Sequence, residues 1–402
     1  MKSKLASRKV ELADVFYLFG DEYRKKHKLP LQQRKVMFAI EACRTARLGG
    51  HIDVCDSCEY KRISYNSCRN RHCPKCQNLN KEKWVDKLAS SLLPVKYVHI
   101  VFTIPSELNR LCLVNQKILY DILFHSASET ILSLAKDKKH LGALTGLVAV
   151  LHTWGQNLMD HPHLHTLVPA GGWCDVNAKL GQATNYGYWK NCKKNFFVHV
   201  KVISEMFRGK FLAALKNAYL NGKLKFEGEI KPLAQIGNFK SLLSQMYKKA
   251  WVVYSKESMK NSSGIIKYLG NYSHRIAITN NRIKSITNET ISFDWKDYRD
   301  NNKRKLMNLS ANEFIRRFLL HVLPPRYCKI RYYGIFSSRN RKTILQQCKR
   351  VMAKKSVKSI LTGLSWNEIL KITNGIDLLK CPHCQNGNMV QEEMFKGKKA
   401  PT

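Results

Sequence analysis

The sequence predicts an α+β protein in three parts: a small cysteine-rich domain over residues 1–90, a mixed domain over 94–300, and a basic helical region over 301–402. Three observations carry this reading. Six of the 13 cysteines fall in residues 1–90. Runs rich in β-branched and aromatic residues alternate with helical spacing between 94 and 300. Between Glu313 and Glu368 there is no acidic residue, while Lys and Arg recur throughout.

Each element follows from local pattern. Leu12, Val15, Phe16 and Phe19 share one helical face, and a second helix is expected near Gln33–Ala42. Val95–Ile104 reads as a strand stopped by Pro105. Leu108–Ala135 has helical spacing. Leu144–His152 and Leu164–Val168 read as two strands, and the polar turn between them, ending in Asp160-His161-Pro162, suits an antiparallel pair. Phe196–Ile203 is expected as a fourth strand and Gly264–Ser273 as a helix. Arg275–Phe293 alternates around Thr279-Asn280-Asn281, a hairpin signal. In the basic region Tyr332, Tyr333 and Phe336 are interleaved with Lys329, Arg331, Arg339 and Arg341. Phe395–Thr402 reads as a disordered tail.

The 402 residues carry 69 Lys and Arg against 29 Asp and Glu, a formal net charge of +40. Such a chain repels itself unless a polyanion relieves it. Nucleic acid is the natural partner, and an anionic membrane surface the weaker alternative. With 44% hydrophobic residues, sizeable cores are available and wholesale disorder is excluded. No stretch reaches the roughly 18 uninterrupted apolar residues of a membrane span. Residues 1–16 show neither a long apolar region nor a small-residue cleavage site, so a secretory leader is not expected. An odd number of cysteines, many in CxxC pairs, then reads as metal binding rather than disulfides. The expected location is therefore intracellular, in the cytoplasm.

Cys55-x2-Cys58, fourteen residues, then Cys73-x2-Cys76 has zinc-ribbon spacing. Four thiolates leave no open position, so the expected zinc is structural. Cys43, His51, Cys68 and His72 offer ligands for a second zinc, or simply pack. Arg44, Arg47, Lys61, Arg62, Arg69, Arg71 and Lys75 surround the cluster and suit a nucleic-acid backbone. Cys381-Pro-His-Cys384 is a further CxxC turn with no second pair nearby in sequence. Cys328, Cys348 or the amino-terminal cluster are its candidate partners.

His163-Leu164-His165 is the central triplet. On a strand, residues two apart share a face, so both imidazoles reach one ion while Leu164 points to the core. His152 lies eleven residues before His163, at the end of the preceding strand. If the strands pair, three nitrogens meet and leave positions open for substrate. Hydrogen-bonded structural histidines or a closed zinc site are the alternatives. By ligand type alone, zinc or manganese would suit.

Tyr268 and Tyr272 stand four apart, on one face if helical. A tyrosine can attack a phosphodiester and hold the 5′ phosphate covalently, conserving the bond for rejoining. Lys267, His274 and Arg275 are placed to stabilise developing charge. Aromatic packing is the alternative.

Together these motifs resemble the rolling-circle transposases of the HUH-endonuclease superfamily, two-tyrosine class, insertion sequence ninety-one type. The resemblance rests on Cys43-Arg-Thr through Leu48-Gly-Gly-His51, and on Tyr65-Asn-Ser-Cys-Arg-Asn-Arg-His-Cys-Pro-Lys-Cys-Gln77. It continues through His99-Ile-Val-Phe-Thr-Ile-Pro105, His152-Thr-Trp-Gly-Gln-Asn157, His161-Pro-His-Leu-His165, Tyr268 through Arg275, and Lys329-Ile-Arg-Tyr-Tyr-Gly334. It covers roughly residues 10–345 and the late Cys-Pro-His-Cys.

The resemblance implies a HUH-type antiparallel sheet flanked by helices, preceded by a zinc-binding, DNA-contacting domain. His163 and His165 correspond to the HUH histidines and Tyr268 and Tyr272 to the nucleophiles. His152 is the favoured third ligand, because relaxases of the superfamily place a histidine at the same interval. Mg²⁺ or Mn²⁺ replaces zinc as the implied catalytic ion. The implied reaction is metal-dependent nicking and transfer of single-stranded DNA at transposon ends through a 5′-phosphotyrosine, with a salt-sensitive grip on the DNA. A plasmid replication initiator or relaxase, and a non-catalytic zinc-dependent nucleic-acid-binding protein, remain the other readings.

Overall fold

The computed structural model describes residues 9–176, 187–192, 198–259, 270, 276–298, 300–352 and 359–397. In chain order the main elements begin with α1 (Leu12–Lys26), α2 (Leu31–Ala42), β1 (Gly49–Cys55), β2 (Lys61–Tyr65), α3 (Gln77–Ala89) and β3 (Tyr97–Thr103). Next come α4 (Asn109–Val114), α5 (Gln116–Lys136), β4 (Gly146–Trp154), β5 (Asp160–Pro169), β6 (Gly171–Asp175) and β7 (Gly187–Asn191). Then follow α6 (Val200–Leu220), α7 (Ile236–Lys248), β8 (Val253–Met259), β9 (Ile283–Thr287), β10 (Thr290–Asp297) and β11 (Lys303–Ser310). The last are α8 (Ala311–Leu320), β12 (Ile330–Gly334), α9 (Ser338–Arg341), α10 (Ile344–Val351), α11 (Trp366–Asn374) and β13 (Met389–Lys396).

The architecture is mixed α/β with antiparallel sheets. The main sheet runs β12-β4-β5-β3-β8, and every neighbouring pair is antiparallel. Alternation divides its two faces. Ile100 and Phe102 of β3, Leu147, Ala149 and Leu151 of β4, and Leu164 and Val168 of β5 point one way. They meet Leu123 and Phe124 of α5, Phe207 and Phe211 of α6, and Phe239 and Leu243 of α7 in the largest core. The opposite face carries Tyr97, Val148 and Leu167, which pack with Leu88 of α3 and with Ile335, Phe336 and Leu345. His99, His152, His163 and His165 share the parity of that second face. The two hydrophobic cores thus fix which way each histidine points.

A second core joins the chain's beginning to its later part. Leu12, Val15 and Phe16 of α1 pack with Phe314 and Phe318 of α8 and with Ile291 and Phe293 of β10. Phe16 meets Phe318 edge-on at 5.4 Å between ring centroids. The sheet under this core runs β11-β10-β9, and a smaller pair joins β6 to β7. A third sheet, β13-β1-β2, is built from both ends of the chain.

Several expectations change. The long helix over Leu108–Ala135 is broken at Asn115, whose backbone leaves the helical region at φ −118°. Its side chain instead bonds Lys225 in both directions, donating to the carbonyl at 2.9 Å and accepting from the N–H at 2.7 Å. The strand expected over Phe196–Ile203 is overturned: Val200 begins α6, and Ile203, Phe207, Phe211 and Leu215 form its buried stripe. Residues 193–197 and most of the helix expected over Gly264–Ser273 lie outside the described residues. The hairpin turn falls at Asn288-Glu289, not at Thr279–Asn281, where a 3₁₀ turn (Asn280–Arg282) leads into β9.

Residues 301–402 do not form one basic helical region. β11 and α8 belong to the second core, β12 is an edge of the main sheet, and β13 pairs with β1. The expected disordered tail is ordered at its start, where Lys396 pairs with Gly49. No described helix is long and apolar enough to cross a membrane.

Candidate metal centres and the histidine face

The main sheet brings His152, His163 and His165 together. β4 and β5 set His152 directly opposite His163, and His165 follows on the same face. One ring nitrogen from each lies within 4.8 Å of the others. His152 and His165 are buried. The expected strand pairing and the shared face of the HxH triplet are both present.

Hydrogen bonds set the tautomers. His163 Nδ1 lies 2.7 Å from the carbonyl oxygen of His161, which can only accept, so Nδ1–H donates. In the neutral ring, Nε2 of His163 is then a lone-pair nitrogen, and it faces Nε2 of His165 at 3.1 Å. On the far side of His165, Nδ1 lies 3.0 Å from Nε2 of His99 on β3. When His165 Nδ1–H donates to His99, both Nε2 lone pairs point at one spot. A cation there satisfies them, and outer hydrogen bonds of this kind usually hold imidazole ligands in place. The donor set therefore fits a divalent ion with positions left for substrate.

His99 belongs to the His99–Pro105 motif, and no spacing in the sequence ties it to the histidine triplet. Its strand was legible; its register against β5 was not. Trp154 completes the wall, stacking on His152 at 4.6 Å and 20°. Trp154 also lines a water-sized cavity of about 20 Å³ with Arg71, His72, His321, Ile276 and Lys329. Burial, helped by the Arg71 charge, lowers Lys329 to about 8. Burial likewise holds His72 neutral, at about 3. Arg71 donates to the carbonyls of Tyr327 and, at 3.3 Å, Pro324. The Cys68–Cys76 loop is thereby fixed against the histidine face.

The cysteines assort differently from expectation. Cys43, Cys68, Cys73 and Cys76 form one cluster, and Cys55, Cys58, Cys381 and Cys384 another. The expected site of Cys55, Cys58, Cys73 and Cys76 is therefore divided between two. The reason is the β1–β2 hairpin. Cys55 and Cys58 sit at its turn, whereas Cys68–Cys76 follow its other end, beside Cys43 at the end of α2. A five-residue strand spans about 17 Å, too far for one ion.

His51 and His72 also leave the expected second zinc set. His51 Nε2 lies 3.3 Å from Asp53 on the same face of β1. His72 Nε2 is buried in the cavity wall without a hydrogen-bond partner. Cys328 and Cys348 join neither cluster.

Sulfur spacing fits tetrahedral zinc. Zn–S bonds of about 2.3 Å place neighbouring sulfurs about 3.8 Å apart. Cys43 and Cys68 lie 3.5 and 3.6 Å from Cys76. Backbone N–H groups two residues on point at Cys55, Cys68 and Cys381, as thiolate charge requires.

Tyr268 and Tyr272, with Lys267, His274 and Arg275, lie outside the described residues. Gly270, between the tyrosines, is buried against α3: an added Cβ would lie 2.6 Å from Val85 Cγ2. Ile276, four residues after Tyr272, lines the cavity shared with Trp154.

A family model described as "Putative transposase" matches residues 146–343, and one described as "Transposase zinc-binding domain" matches residues 15–104. Cys381 and Cys384 lie outside both spans. "Putative transposase y4qJ" of Sinorhizobium fredii is 41% identical over 97% of both chains. "Transposase for insertion sequence element IS801" of Pseudomonas savastanoi pv. phaseolicola is 27% identical over 74% of this chain and 68% of its own. No solved structure matches the chain. With a zinc-binding domain, a transposase domain and a relative alike over nearly its whole length, the chain belongs to the transposases of the insertion sequence ninety-one (IS91) family.

Proposed function

We propose that this transposase nicks single-stranded DNA at transposon ends and transfers the strand through a 5′-phosphotyrosine, in rolling-circle transposition, on a HUH-type sheet. The carrying observation is the pair of Nε2 atoms of His163 and His165 at 3.1 Å, each ring braced from behind by His161 or His99. The antiparallel order of β4, β5 and β3 around the HxH triplet supports the fold assignment.

His152, His163 and His165 would hold the ion, Mg²⁺ or Mn²⁺, whose chemistry is to polarise the scissile phosphate as a Lewis acid. Tyr268 or Tyr272 supplies the nucleophile. Its phenolic oxygen forms a bond to phosphorus, the bond from phosphorus to O3′ breaks, and the 3′ oxygen leaves as a hydroxyl after taking a proton. A free phenol titrates near 10, so the attacking oxygen must lose its proton as the bond forms. The second tyrosine repeats the step on the target strand. Gly270 against α3 supports bringing this segment to the histidine side of the sheet, because Leu88 of α3 packs on that face. The basic amino-terminal module holds the DNA backbone, while Arg71 is engaged by the Tyr327 and Pro324 carbonyls.

The test uses the full chain with labelled single-stranded DNA from its element's ends. Mn²⁺ should give a covalent adduct that resists denaturing gels, and EDTA should abolish it. The adduct should vanish in the Tyr268→Phe, Tyr272→Phe double variant. An undiminished adduct in that variant would refute the nucleophile assignment.

A further inference from the structure

We infer that Cys55, Cys58, Cys381 and Cys384 form a second structural zinc site, which locks the chain's carboxy-terminal strand into its amino-terminal module. The inference is independent of the nicking chemistry.

The four sulfurs come from places 323 and 329 residues apart, yet Cys58 meets Cys381 and Cys55 meets Cys384 at 3.7 Å each. That spacing is the edge of a Zn–S₄ tetrahedron and far longer than a disulfide. All four are free thiols with one sulfur each inside a 4.8 Å cluster. Both CxxC turns have the same build. The N–H of Ser57 points at Cys55 and the N–H of His383 at Cys381, each at 3.4 Å. Gly387 adds a third N–H, to Cys384 at 3.3 Å.

Space around the cluster is shaped for it. A Cβ at position 387 would lie 2.4 Å from Cys55 Sγ, so only glycine lets the carboxy-terminal turn close over that sulfur. Next to it, Asp56 accepts from the Asn388 N–H at 2.8 Å and returns its own N–H to the Asn388 carbonyl. The Tyr60 ring stacks on His383 at 5.5 Å and 5°. From Met389 onward β13 pairs with β1 as far as Lys396.

The donors are soft thiolates only, which selects zinc over the hard ions expected at the histidines. No position is left for substrate, so the ion acts as a clasp. Without it, no ion ties the two CxxC turns to each other, and β13 is free to leave β1, which would keep only β2. The amino-terminal module therefore includes β13 as a strand of its sheet.

The experiment is zinc analysis of the purified full chain, combined with cysteine alkylation followed by mass spectrometry. Two zinc ions per chain are expected. As a chelator removes them stepwise, Cys55, Cys58, Cys381 and Cys384 should become reactive together with the loss of one ion. Cys43, Cys68, Cys73 and Cys76 should do so with the loss of the other. The Cys381→Ser, Cys384→Ser double variant should hold one zinc per chain. One zinc in the unmodified chain, or alkylation of Cys381 and Cys384 while both zincs remain, overturns the inference. The alkylation arm needs no variant to fold.

Discussion

At His163 a backbone carbonyl decides the tautomer: the His161 oxygen fixes the proton on Nδ1 and leaves Nε2 as the lone-pair nitrogen facing His165. Behind His165, Nε2 of His99 faces Nδ1 at 3.0 Å. Replacing His99 by Ala should weaken Mn²⁺ binding by about 10- to 100-fold, the usual cost of losing an outer partner of a ligating histidine. Titration calorimetry on the full chain measures it, and unchanged affinity would remove His99 from the site. Asp160, on the other face of β5, is a separate case. Both carboxylate oxygens are buried without a hydrogen-bond partner, and burial pushes the group up to about 7 despite the pull of Arg110. The fold therefore favours the protonated form, while the unfolded chain ionises near 3.9. Between these values the native state binds the extra proton, so stability falls as pH rises from about 4 to about 7 and then levels. Asp160→Asn should flatten this part of the profile and raise stability at pH 8, by up to about 4 kcal/mol. Denaturant unfolding at pH 5 and pH 8 tests this; an equal effect of the substitution at both pH values counts against it.

Elements were legible where one pattern dominated. α1 and α2 follow their apolar stripes, and β3, β4 and β5 follow β-branched runs bounded by turns. α6 was misread because Val198, Val200 and Val202 suggested a strand, whereas its buried stripe continues for another four turns beyond them. The β9–β10 hairpin was misplaced for a different reason. Its two-residue turn needs positive φ at both positions, and it uses Asn288 at φ 45° and Glu289 at φ 62°. Glutamate gives no signal for such a turn, whereas the more conspicuous Asn280-Asn281 pair begins a 3₁₀ turn. Glu289→Gly should remove the strain at this left-handed position while keeping the carbonyl that accepts from the Ala311 N–H. A gain of about 0.5–1 kcal/mol is expected, read as a higher denaturant midpoint with unchanged slope. A loss of stability would mean that the Glu289 side chain contributes more than its backbone strain costs.

At the scale of the full chain, the features readable from residues alone were those set by local period and composition. The +40 charge pointed to nucleic acid, the CxxC turns to zinc, and the HxH triplet to paired imidazoles on one strand face. These are short-range facts: two residues apart on a strand is one face whatever the rest of the fold does. The family followed from motifs of the same local kind. Tertiary structure alone decided the partners. It divided Cys55 and Cys58 from Cys73 and Cys76, because a strand hairpin holds the two pairs at opposite ends. It carried Cys381 and Cys384 back to the beginning of the chain through β13, dispersing the supposed third region among three sheets. It also set His99 behind His165. Each outcome depends on strand register and chain return, which hydrophobic burial settles over hundreds of residues and no local spacing encodes.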